Sequence, residues 1–255
     1  MIVIFKGKVV SENYYHNSSI EDTFNICSVT KSFMSTLVGQ AVDMGFMEDP
    51  DRSASQFFPD YNISYLDDIK LHHFLSMSSG YAEEWSFLNQ PTEEILSGDH
   101  DEPGSFFYNN NACHVNAHAL YYSTMQTPYE FASTYLFPYL GIYNPDWTSG
   151  YIDINNGSYD LRLNLRDMVK LGQLYIQDGF SGDEQLLSKD WIIRATSPQV
   201  DKDSWGYGYL WWLPETDSYL AWGAGGQYIV VFPNYELVIG THSERQATQL
   251  AYKIY

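Results

Sequence analysis

The chain of 255 residues is 44% hydrophobic, enough to bury a proper core in one large domain or two interleaved ones. Its 32 acidic residues against 13 Lys and Arg leave a net charge of −19, which argues against nucleic acid and anionic membranes as partners. Two cysteines, Cys27 and Cys113, are too few for a disulfide framework, and free thiols are the default reading. With 22 Tyr and 7 Trp, a cleft lined with rings is expected beside a Tyr-rich core.

In chain order, "MIVIFKGKVV" reads as a hairpin turning at Lys6-Gly7, and its apolar run is too short for an export signal. No stretch is long enough to span a membrane, and no compartment is assigned. From Met34, the residues Leu37, Val38, Ala41, Val42 and Met44 recur at helical spacing, with Gly45 following. This predicts a helix over roughly 28–44, with Ser28 and Lys31 in its first turn. "LHHFLSMSSG" (71–80) is a short helix stopped by Gly80. A polar loop carrying Trp85 leads to "DEPGSFFYNNNACHVNAHALYY", helical from Ala112. Two more helices follow at 165–179 and 188–197. "YGYLWWL" and "YLAWGAGGQYIVVFPNYELVIGTHS" are strands, the last two joined at Pro233-Asn234, and "QATQLAYKIY" is a final helical stub. Strands at both chain ends, with helices between, predict one sheet built from the two termini. Residues 1–50 and 198–255 then form a discontinuous α/β lobe, and 51–197 a mainly helical one, with a cleft at their boundary.

Ser28 and Lys31 are three residues apart, so on a helix the amine reaches the serine oxygen. A lysine gains nothing from the positive end of a helix dipole, so its place there points to a role other than helix stability. Alone, however, an S-x-x-K match is expected by chance in a chain of about this size, and a structural cap reads as well.

Two further segments change the weighing. "FYNNNA" contains Tyr108-Asn109-Asn110, a Y-x-N preceded by Pro103-Gly104, and "AWGAGGQYIVVFP" is a glycine-rich strand near the C-terminus. The order S-x-x-K, Y-x-N, glycine-rich strand resembles the serine β-lactamase and penicillin-binding protein superfamily. Within it, the likeness is to the class C branch and the related esterases and 6-aminohexanoate-dimer hydrolases. "LHHFLSMSSGY", "LRLNLRDMVKLGQLYIQDG" and "WGYGYLWW" are similar to family segments in kind and order, so the likeness covers nearly the whole chain.

The resemblance implies an α+β, β-lactamase/transpeptidase-like fold: an antiparallel sheet from both chain ends, flanked by helices, plus an inserted all-α lobe. It implies Ser28 as nucleophile, Lys31 as its general base, Tyr108 as a second proton-transfer group and Asn110 as a positioner of lysine and substrate. The backbone N–H groups of Ser28 and Ala224 would form the oxyanion hole, with Gly223 and Gly225 letting substrate lie against the strand and Trp85 and Trp222 lining an acyl pocket. A serine activated by a base, with two fixed donors for the oxyanion, completes acyl transfer through an acyl-serine with neither metal nor cofactor. The strand opens Ala221-Trp222-Gly223, where β-lactamases carry K-T-G or H-x-G and a cation for the antibiotic's carboxylate; the class A S-D-N is also absent. This favours small-molecule esters or small amides with apolar flanks. A β-lactamase or D-amino-acid peptidase, and a ligand-binding or sensor domain without turnover, remain as alternatives.

Other motifs weigh less. His114 and His118, four apart on a helix, lack the glutamate and third ligand of a zinc site and read as helix packing or as exposed. His72-His73 reads as structural, "GFSGD" (179–183) as a loop rather than a nucleophile elbow, Cys27 as packing, and His242 as a residue near the cleft at best.

Overall fold

The computed structural model describes residues 1–82, 91–148, 154–202 and 204–243. The chain opens with β1 (Ile2–Phe5) and β2 (Lys8–Glu12). Lys6 and Gly7 between them both have positive φ (50° and 72°), as a two-residue turn matching the strand twist requires. The short β3 (Phe24–Asn25) runs into a 3₁₀ turn, Cys27–Val29, and then α1 (Thr30–Asp43), which ends where Gly45 takes φ +73°. α2 (Tyr65–Asp68), α3 (Leu71–Leu75), α4 (Thr92–Leu96), α5 (Asn110–Thr124) and α6 (Pro128–Tyr135) follow. β4 (Asp146–Trp147) and β5 (Leu161–Leu163) join β3 in a small sheet of order β3-β5-β4.

Next come α7 (Leu165–Ile176), the hairpin β6 (Phe180–Ser181) and β7 (Glu184–Gln185), and α8 (Lys189–Ala195). Six strands complete the main sheet: β8 (Val200–Lys202), β9 (Trp205–Tyr207), β10 (Trp212–Leu213), β11 (Tyr219–Gly223), β12 (Gln227–Phe232) and β13 (Leu237–Thr241). The order is β2-β1-β13-β12-β11-β10-β9-β8, antiparallel throughout. The first and last strands therefore pair with each other, one strand in from the β2 edge, with Ile2 opposite Gly240 and Ile4 opposite Val238.

α1 is buried from Thr30 to Ala41, as a helix enclosed on all sides must be. It lies between β11 and the helices α5 and α6. Gly39 lets it approach α8, since a Cβ there would sit 2.6 Å from the Trp191 ring. α7 covers the sheet at β12 and β13: a Cβ on Gly172 would strike Ile229 and Val238, and one on Gly240 would strike Val169 at 2.0 Å. No helix among the described residues is long and apolar enough to cross a membrane.

Local boundaries differ from the sequence reading for identifiable reasons. Ser28 lies in the 3₁₀ turn rather than in the α-helix, because Cys27 adopts φ +50° and a continuous α-helix cannot begin there. α3 stops at Leu75, five residues before Gly80, as Met77 also turns left-handed at φ +56°. α5 begins at Asn110, because the Asn109 side chain accepts a bond from Ala112 N (3.0 Å) and caps it. α6 is a helix that the sequence reading left out. The C-terminal stub lies outside the described residues.

Candidate active site

Asn25, at the end of β3, accepts a bond from Cys27 N on its Oδ1 (2.8 Å) and donates from Nδ2 to Asp160 (2.8 Å). This pins the backbone where Cys27 takes its left-handed φ, a conformation that for a non-glycine residue costs on the order of 1–3 kcal/mol and clusters at functional sites. The following 3₁₀ turn presents Ser28, half-buried, immediately before α1, where the helix's first N–H groups are unpaired within the helix.

Lys31 is 2% exposed. Its Nζ lies 3.0 Å from Ser28 Oγ, 2.8 Å from Asn110 Oδ1 and 2.9 Å from the Ser158 carbonyl oxygen. The Tyr108 ring stands over it at 4.9 Å. Among the described residues no carboxylate pairs with it. Asn110 reaches the amine because it is the first residue of α5, and Tyr108 because it precedes the Asn109 cap in extended chain.

Ser158 was not found by sequence reasoning. It sits fully buried in the loop 154–160, where its N–H bonds Asn156 Oδ1 (2.8 Å) and its hydroxyl donates to the Asn110 carbonyl. Trp147 Nε1 donates to the Asn156 carbonyl at 2.9 Å, and Asn155 bonds both Trp147 O (2.8 Å) and Tyr129 N (2.9 Å). A buried loop must satisfy its polar groups in this way, and the result is a fixed acceptor beneath Lys31.

The glycine-rich strand comes to the same place. A Cβ on Gly223 would sit 2.5 Å from the Ile26 carbonyl and 3.3 Å from Cys27 Cβ, so the end of β11 touches the segment just before Ser28. Ala224, the next residue, is exposed at the start of the turn 224–226, in which Gly225 and Gly226 take φ +85° and +102°. Trp222 and Gly223 point to opposite faces of β11. The Trp222 ring therefore turns away from Cys27 and meets Trp212 at 5.6 Å and Tyr228 at 5.9 Å. Trp212, which sequence reasoning passed over within "YLWWL", stacks on Tyr108 at 5.8 Å with 17° between the planes. Tyr108, Trp212 and Trp222 thus form a run of half-buried rings beginning at Lys31. Trp85 lies outside the described residues.

The remaining histidines lie elsewhere. His242 stacks on Phe24 at 3.8 Å, and burial pushes it down to about 4. His72 pairs with Asp51, and His73 bonds the Lys70 N–H at the start of α3. His114 and His118 face each other with Nε2 atoms 3.0 Å apart, and among the described residues no cluster of three metal-ligating side chains forms. A cavity of about 450 Å³ opens at the far, C-terminal end of α1, between Asp43, Tyr135, Tyr139 and Leu186. It shares no residue with the Ser28 cluster.

A family model described as Beta-lactamase matches residues 1–253. Among solved structures, the chain is similar to a proposed 6-aminohexanoate-dimer hydrolase from Bacillus anthracis, at a TM-score of 0.85 and 18% identity over 100% of this chain and 76% of that one. It is also similar to a penicillin-binding protein from Bacillus halodurans (TM-score 0.77, 16% identity, 99% of this chain and 94% of that one). A third is EstCE1, a hydrolase with promiscuous acyltransferase activity (TM-score 0.79, 14% identity, 96% and 86%). At these identities the likeness establishes the fold. A comparison with curated proteins finds no match.

Proposed function

The chain belongs to the beta-lactamase family of serine hydrolases, and from that premise we propose that it cleaves carboxylic esters or small amides through an acyl-serine formed on Ser28. One observation carries the reading: the arrangement of acceptors around the Lys31 amine. Asn110 Oδ1 and Ser158 O occupy two of its tetrahedral positions at 2.8 and 2.9 Å, leaving the third for Ser28 Oγ at 3.0 Å. In the neutral amine, two N–H bonds are held by those acceptors and the lone pair faces the serine O–H. In the ammonium form, the same position donates back to the serine oxygen. The group can therefore take the hydroxyl proton and keep its place.

In the reaction, Ser28 Oγ attacks the substrate carbonyl while its proton passes to Lys31. The tetrahedral oxyanion is met by the N–H groups of Ser28 and Ala224, and the proton then moves to the leaving alcohol or amine by way of Lys31 and Tyr108. Water repeats the sequence on the acyl-serine. Donors of this kind are typically worth about 10²–10³ in rate each. The aromatic run from Tyr108 through Trp212 to Trp222, with no cation at Ala221-Trp222-Gly223, supports substrates with apolar flanks over those carrying a carboxylate.

The test is labelling by a fluorophosphonate together with turnover of p-nitrophenyl butyrate and nitrocefin. Wild type is expected to label and to prefer the ester, and Ser28→Ala to do neither. Labelling that persists in Ser28→Ala rejects the nucleophile, and preference for nitrocefin rejects the substrate class.

A further inference from the structure

Behind the Ser158 loop, a chain of buried side chains takes no part in the steps above. The Gly157 N–H donates to His114 Nδ1 at 3.2 Å. His114 Nε2 lies 3.0 Å from His118 Nε2, and His118 Nδ1 bonds the Thr92 hydroxyl. All three side chains are buried: His114 is 2% exposed, and Thr92 and His118 no more.

The tautomers follow from the one donor that cannot change. A backbone N–H only donates, so His114 Nδ1 is a bare acceptor and its proton is on Nε2. That proton goes to His118 Nε2, so His118 carries its own on Nδ1 and passes it to Thr92 Oγ1. Both rings are neutral. Burial agrees with this, holding His114 down at about 4 and His118 well below its ordinary value.

Gly157 is one residue from Ser158, and little around it can absorb a shift. A Cβ on Gly157 would sit 3.1 Å from Ala117 Cβ, and its carbonyl accepts from Cys113 Sγ at 3.5 Å. The peptide that His114 holds lies two peptide planes before the carbonyl that holds Lys31, and the Gly157 carbonyl and Ser158 N–H between them are bonded as well.

We propose that His114 is a positioning residue: by accepting the Gly157 N–H it sets the Ser158 carbonyl, and through that carbonyl the direction of the Lys31 lone pair. The inference rests on the reading of Lys31 as the base. It explains why two histidines and a threonine sit in a buried helix interface where three apolar side chains would pack without a polar burial cost.

The experiment compares wild type, Ser28→Ala, His114→Phe and His114→Asn for kcat and KM on p-nitrophenyl butyrate and for hydrogen exchange at the Gly157 amide. Phe keeps the ring volume without an acceptor, whereas Asn places Oδ1 where Nδ1 was. His114→Phe is expected to lose about 10–100-fold in kcat, the usual scale for a partner of a functional group, with KM unchanged and Gly157 exchange accelerated. His114→Asn is expected to recover most of the kcat and the protection. A folded His114→Phe that turns over like wild type, or a His114→Asn no better than it, overturns the inference alone. A wild type that turns over no ester, or a Ser28→Ala as active as wild type, overturns the catalytic reading and this inference with it. Nitrogen-15 NMR of wild type needs no folded variant: Nε2–H on His114 and Nδ1–H on His118 are expected, and the opposite tautomers or a charged ring at pH 7 overturn the proposal.

Discussion

Lys31 is the meeting point of two walls built on different physical terms. On the α1 and α5 side, Lys31, Asn110 and Ser158 meet at 2.8–3.0 Å, through directional bonds that weaken steeply when bent. On the strand side, Tyr108, Trp212 and Trp222 meet as rings 5.6–5.8 Å apart, held by area and tolerant of small shifts. The first wall can fix a proton's path and the second can choose a shape. Chemistry and selection are therefore expected to fail separately.

The largest break is Lys31→Ala. It is expected to keep the fold, checked by circular dichroism, while kcat on p-nitrophenyl butyrate falls about 10²–10⁴-fold, the range for a general base. Near-normal turnover at neutral pH would remove the chemical role from the polar wall.

A second break is acid. His114 titrates near its ordinary 6.5 when unfolded but at about 4 in the fold, where burial disfavours its charge. Between those values the unfolded chain binds a proton that the native chain does not. Stability is therefore full above pH 6.5 and is lost as pH falls towards 4, by on the order of 3 kcal/mol. Urea unfolding from pH 7 to 4 measures the slope, and His114→Asn is expected to reduce it by the share of one histidine, with His73, His118 and His242, which burial also holds down, carrying what remains. An unchanged slope would mean that His114 binds its proton alike in the folded and unfolded chain, and that burial does not hold it down.

The mildest change is Trp222→Ala. KM for long or aryl acyl esters is expected to rise by up to about tenfold, the scale of one aromatic contact, with kcat for acetate esters unchanged. A kcat loss comparable to that of Lys31→Ala would merge the two walls into one.

Short-range signals pointed to the residues that the fold gathers around Lys31, whether or not they lie on regular elements. The three-residue spacing of Ser28 and Lys31, the Y-x-N at 108–110 and the glycines from 223 to 226 each follow a rule that acts over a few residues. Strands at both termini likewise announced the shared sheet. Ser158 escaped because "INNGSYD" has no periodicity, and its carbonyl becomes an acceptor for Lys31 only through contacts across 127 residues of chain. Trp212 looked like one ring in a strand until Tyr108 was placed against it. For His114 and His118 the sequence left packing or exposure open; both are buried, and their shared hydrogen bond requires knowing what caps each outer nitrogen. The Thr127–Glu130 capping box of α6 was present in "TPYE" and went unread.

The pairing of β1 with β13 has a kinetic consequence. β1 is synthesised long before its neighbour in the sheet, Leu237–Thr241, because Ile2 pairs with Gly240 across 238 residues of chain. At about 5–20 residues per second, the nascent strand waits roughly 10–50 s with one ladder edge unpaired. Translation speed and chaperone holding over that interval, more than the strength of any single contact, then govern how much newly made chain reaches the native topology.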